Sequence, residues 1–115
     1  MLEQLLIKFS QTCMIDNNWS IYNNRPQIIQ SLKVLIRSEI VNRILVDEIN
    51  ELRMYRNALV HGIDFSINQE VCNRISKIYE ALNGAFEVYK ENGRNSEEWQ
   101  SAMNKVYNLS VNERN

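Results

Sequence analysis

One proline and three glycines in 115 residues leave long unbroken stretches of Leu, Ile, Glu, Arg, Lys and Gln, and this scarcity of breakers most constrains the fold. Strand-like alternation of polar and apolar residues is absent. The chain is therefore expected to be all-α, a compact up-and-down bundle of about five helices. A length of 115 residues fits one domain spanning 1–115, with apolar content for one modest core and not two.

Helical spacing of Leu2, Leu5, Leu6, Phe9 and Cys13 predicts a first helix over roughly Leu2 to Ile15, ended by Asp16, Asn17 and Asn18. Trp19 to Arg25 reads as an ordered loop. Pro26 suits the first turn of a second helix carrying Ile28, Ile29, Leu32, Leu35 and Ile36, which stops near Ser38 to Asn42. A third helix is expected from about Val41 to His61, with Gly62 as its stop. A turn over Asp64 to Asn68 precedes a fourth helix striped by Val71, Ile75, Ile78, Leu82 and Phe86. Asn92 to Asn95 forms the next turn, and Ser96 caps a short fifth helix whose first turn carries Glu97 and Glu98. The tail Asn112 to Asn115 is expected to fray.

Charge is nearly balanced, 13 basic against 14 acidic residues, so no global polycation signature marks the chain for nucleic acid or an anionic membrane. Residues 25–61 hold six basic and four acidic side chains, a weak local bias toward an anion. Cys13 and Cys72 lie far apart without a CxxC partner, which points to a reduced, cytoplasmic protein. The start lacks a secretory signal and no apolar run approaches a membrane span, so no membrane partner is expected. One histidine and two scattered cysteines offer no zinc spacing; neither a metal nor another cofactor is expected.

Chemistry has one place to gather. His61 is the only histidine, the one side chain whose unperturbed pKa lies near neutrality. It closes the run Arg56-Asn57-Ala58-Leu59-Val60-His61 and is followed by Gly62. On a helix, Leu45, Ile49, Leu52, Leu59 and Val60 make one apolar stripe, and Arg56 falls within it. Arg53, Asn57 and His61 form the adjoining i, i+4, i+8 ridge. A guanidinium grips phosphoryl oxygens in a fork and an imidazole moves protons, so the segment suits phosphate chemistry. Plain structural roles are also open: Arg56 paired with a buried carboxylate such as Glu48, Asn57 as an exposed helix residue, His61 against the last-turn carbonyls.

A helical domain of this size whose third helix ends in Arg-Asn-x3-His resembles the HEPN domains, in which an arginine, an adjacent polar residue and a histidine four to six residues after the arginine form the motif. Arg56, Asn57 and His61 match those three positions. The five-helix plan is compatible along nearly the whole chain, while only about Leu52 to Gly62 is motif-specific. The resemblance implies a metal-independent RNA endonuclease, a two-fold homodimer with both motifs in one cleft, of the kind found in toxin–antitoxin, abortive-infection and other antiviral systems. It implies Arg56 and His61 as catalytic residues, Asn57 and Arg53 in support, and an antitoxin or defence protein as partner. HEPN toxins paired with small nucleotidyltransferase antitoxins commonly carry a tyrosine two residues after the histidine. Here that position is Ile63, which departs from that partnership. Lys33 and Arg37, at i, i+4 on the second helix, are weaker candidates for RNA-backbone contact. The alternative is a non-catalytic module of the same build that binds a nucleotide or a partner protein.

Overall fold

The turns at residues 38–42 and 93–96 are each set by local hydrogen bonds that the sequence supplies. The computed structural model describes residues 2–17, 19, 28–60 and 69–111, the side chains of 55–60 and 111 excepted. Five helices run in the order α1 (Leu2–Asp16), α2 (Ile28–Arg37), α3 (Arg43–Val60), α4 (Gln69–Asn92) and α5 (Glu97–Val111), with no strand among the described residues. The all-α expectation holds. The expected loop from residue 20 to Arg25, Pro26 at the start of α2, the stop at Gly62, the turn at Asp64 to Asn68 and the tail Asn112 to Asn115 lie outside the described residues.

Leu5, Leu6, Phe9 and Cys13 of α1 are buried at helical spacing, and Leu2 is half-buried. Ser10 shares that face, its hydroxyl donating to the Ile7 carbonyl at 2.8 Å, which removes much of the cost of enclosing it. The end of α2 is a Schellman motif: Glu39 N–H donates to Ile36 O at 2.9 Å and Ile40 N–H to Leu35 O at 3.0 Å. Leu35 and Ile40 are both buried, the apolar contact that accompanies this cap. Glu39 takes the left-handed residue's place with φ 62°. From the α4–α5 turn, Arg94 Nη2 donates to Ser38 O at 2.7 Å, placing a cation at the negative end of α2.

Asn42 opens α3 by accepting Leu45 N–H on Oδ1 at 2.9 Å. That cap places the start of α3 at Arg43, two residues beyond the expected Val41. Gly93, at φ 69°, stops α4 with its N–H on Tyr89 O at 3.1 Å, and Ser96 Oγ accepts Trp99 N–H at 3.1 Å to open α5. The fifth helix is 15 residues, as long as α1 and not short. Apolar Trp99, Ala102, Val106 and Leu109 hold its full length against the core.

Buried residues from all five helices join in one cluster. The most extensive helix pairings are α4 on α5 and α1 on α2, with α1 also on α4 and a lighter contact of α3 on α5. A file of four rings crosses the centre: Phe9 lies 4.9 Å from Phe86 and 5.6 Å from Tyr89, which lies 5.6 Å from Trp99. Burying a side chain such as Phe9 contributes about 2 kcal/mol, so these rings are principal anchors of α1, α4 and α5. Sequence spacing places Ile29 in the core, yet it is 52% exposed; a ten-residue α2 covered on one side buries Ile28, Leu32 and Leu35 instead. Val71 and Ile75 are half-buried, and the enclosed stripe of α4 begins at Ile78. No helix among the described residues is long and apolar enough to cross a membrane.

Candidate functional site

The apolar stripe of α3 is firm at its N-terminal end, where Leu45 and Ile49 are fully enclosed and Val46, which the stripe omitted, is buried beside them. Leu52 is half-buried. The helix continues without interruption through Val60, so Arg56 and Asn57 stand on its last turns. Their side chains, those of Leu59 and Val60, and His61 entirely lie outside what is described. Arg53, one turn before Asn57, is half-buried, with Nε 3.5 Å from Glu3 Oε1 on α1. That Nε is enclosed and makes no hydrogen bond, so the pair is a Coulombic contact without the directional bond of a closed ion pair.

Glu48, the carboxylate considered as a partner for Arg56, is engaged by another arginine. Arg74 of α4 grips it in a fork, Nε to Oε2 at 2.5 Å and Nη2 to Oε1 at 2.7 Å, while Nη2 also donates to Leu109 O at 2.7 Å. Both side chains are 14% exposed. This clamp joins α3, α4 and α5, and sequence reading missed it: the partners are 26 residues apart, and no local pattern marks Arg74.

Lys33 and Arg37 are both exposed on α2. The Arg37 guanidinium lies over the Trp19 ring, 3.9 Å from its centroid, which holds the cation flat on the surface. Among the described residues, no group of three or more histidine, cysteine or carboxylate side chains is arranged to hold a metal ion.

Compared with family models, with curated proteins and with solved structures, the chain matches none.

A second polar group lies where α1 and α4 end. Tyr89 donates its hydroxyl to Asp16 Oδ2 at 2.7 Å, close to buried Cys13. Burial pushes the Cys13 thiol above its ordinary value of 9.0, with Ser38 and Tyr89 partly opposing the shift, so this cysteine is not an activated nucleophile. Burial first, then the hydrogen bond to Asp16, pushes the Tyr89 phenol above its ordinary 10.0. Both acids hold their protons more tightly folded than unfolded. Their contribution to stability is thus complete below about pH 9 and declines as pH rises through 9 and 10 toward the raised folded values. Unfolding free energies measured in urea from pH 8 to 11 are expected to fall, with a limiting slope of about 1.4 kcal/mol per pH unit for each group. Tyr89→Phe is expected to flatten the upper part of that fall while costing about 1 kcal/mol at pH 7 for the lost bond to Asp16.

Proposed function

We propose that this chain is a metal-independent RNA endonuclease of the HEPN type, a cytoplasmic toxin or antiviral effector that works as a homodimer. The observation that carries the reading is the engagement of Glu48 by Arg74, since it occupies one carboxylate that offered Arg56 a plain structural role. The continuity of α3 to Val60 supports it further, because it puts Arg53, Arg56 and Asn57 on one helix that runs up to the residue before His61. Met54, 71% exposed beside Arg53, supplies uncovered apolar surface near that helix end, in keeping with a two-fold contact there.

In this mechanism His61 takes the proton of a ribose 2′-hydroxyl, and that oxygen attacks the adjacent phosphorus. The bond from phosphorus to the 5′-oxygen breaks, and the leaving oxygen takes a proton from the second histidine of the dimer. Arg56 balances the charge that grows on the phosphoryl oxygens. Asn57 orients the imidazole or bonds a phosphate, and Arg53, lacking a directional bond at Nε, adds positive potential. Exposed Lys33 and the Trp19-supported Arg37 contact the RNA backbone farther along. An antitoxin or defence partner protein restrains or directs the activity. The products are a 2′,3′-cyclic phosphate and a 5′-hydroxyl.

The near-neutral charge favours a second reading, a non-catalytic module that binds a nucleotide or a protein, because RNA affinity leans on phosphate contacts. One experiment separates the two. Purified protein incubated with RNA in excess chelator is expected to cut it, and deoxyribose on the 5′ side of the cut is expected to stop the reaction. Chelator-sensitive cutting, equal cutting of DNA, or intact RNA would each refute the proposed chemistry.

A further inference from the structure

A cleft of about 460 Å³ opens between the α2–α3 turn and α5. Its floor and walls include Ile36, Leu45, Met103 and Tyr107, and its polar lining includes Glu39 and Asn42. The size falls within the usual range for small-molecule sites, and the lining has their usual character, mostly apolar with a few fixed polar groups.

Two features of that lining are not what the fold alone asks for. Glu39 occupies the left-handed position of the α2 cap, φ 62°, where glycine is the unstrained choice, yet the chain carries a carboxylate there, exposed at the cleft. A non-glycine residue held in this region costs free energy, and such residues cluster at ligand-binding and other functional sites. Asn42 has its carbonyl oxygen occupied twice, by Leu45 N–H at 2.9 Å and by the Ser110 hydroxyl at 3.1 Å. Its orientation is thereby fixed, and its NH2 group makes no hydrogen bond to another described residue. The cleft thus offers a carboxylate acceptor and an amide donor on one short turn, beside the 60% exposed face of Tyr107.

We propose that this cleft binds a guanine base. The Watson–Crick edge of guanine presents two adjacent donors, N1–H and the exocyclic amino group, next to the O6 acceptor. Glu39 accepts the two donors, Asn42 donates to O6, and the flat ring lies against Tyr107, as unpaired bases lie on aromatic side chains. Adenine presents one donor beside one acceptor and leaves a carboxylate oxygen unmatched. Uracil turns a carbonyl toward it. The inference draws on none of Arg56, Asn57 or His61 and stands apart from the nuclease reading. The base comes either from a free nucleotide or from an unpaired guanine in a single strand.

Calorimetric titration tests it, with GMP, AMP and UMP as free probes and 2′-O-methyl oligouridine with or without one central guanosine as strand probes. Guanine is expected to bind about tenfold more tightly than adenine, in keeping with one charge-assisted hydrogen bond gained. Preference for GMP identifies a free nucleotide as the source, and preference for the guanosine-bearing strand over both GMP and plain oligouridine identifies the strand. Glu39→Gly relieves the backbone strain, so it is expected to fold with a raised thermal midpoint and yet lose the guanine preference. Tyr107→Ala is expected to weaken both purines. Equal binding of GMP and AMP, a Glu39→Gly protein with undiminished guanine preference, or no saturable binding of any probe would overturn the proposal.

Discussion

His61→Ala is expected to reduce RNA cleavage by about 10²–10⁴-fold, the usual loss when a positioned proton-transfer group is removed. The substitution falls one residue beyond Val60, the last described residue of α3, and off the apolar stripe that the sequence spacing gives. Stability is accordingly expected to stay within about 0.5 kcal/mol of the parent. Arg56→Ala is expected to lose about 10²–10³-fold in rate by removing charge stabilisation at the phosphoryl oxygens. It should also shift the thermal midpoint or the dimer affinity, because position 56 falls in the apolar stripe of α3. Activity, thermal midpoint and sedimentation measured on the same preparations separate these effects. A fully active, dimeric His61→Ala protein contradicts the nuclease mechanism and leaves a binding module in its place.

The largest expected effect on stability lies elsewhere. Arg74→Ala removes a fork on Glu48 and a bond to the Leu109 carbonyl at once, leaving a mostly enclosed carboxylate and a carbonyl without their donor. Breaking such a pair from one side costs about 3 kcal/mol, or about 12 °C in thermal midpoint for a domain of this size. The double variant Glu48→Met/Arg74→Met tests the origin of that loss, since replacing both charges with apolar volume removes the uncompensated carboxylate. Recovery of most of the stability is expected in urea unfolding. A single variant as stable as the parent would show that α3, α4 and α5 are joined by apolar packing alone.

Much of the architecture was legible because it rests on local signals. Leu5, Leu6, Phe9 and Cys13 announce α1 through spacing, and Gly93 and Ser96 mark the turn between α4 and α5 through backbone freedom and capping. The end of α2 was harder to place. Its Schellman cap uses Glu39 where glycine is the usual sign, and apolar residues continue across it through Ile40 and Val41. The ring file from Phe86 to Trp99 and the Arg74 clamp are tertiary facts: each joins residues whose separation in the chain carries no periodic signature. Of the candidate site, the sequence located Arg53, Arg56 and Asn57 on one helix, which α3 bears out in backbone. The engagement of Glu48 by Arg74 was not legible, because its partners stand 26 residues apart on different helices.

The proposed chemistry is tested most directly by the ends it leaves on a defined single-stranded RNA. Mass spectrometry of the products after incubation in chelator is expected to find a 2′,3′-cyclic phosphate on the upstream fragment and a 5′-hydroxyl on the downstream one, both absent with His61→Ala. A 3′-hydroxyl with a 5′-phosphate, or an RNA left whole by the dimeric parent protein, would contradict it.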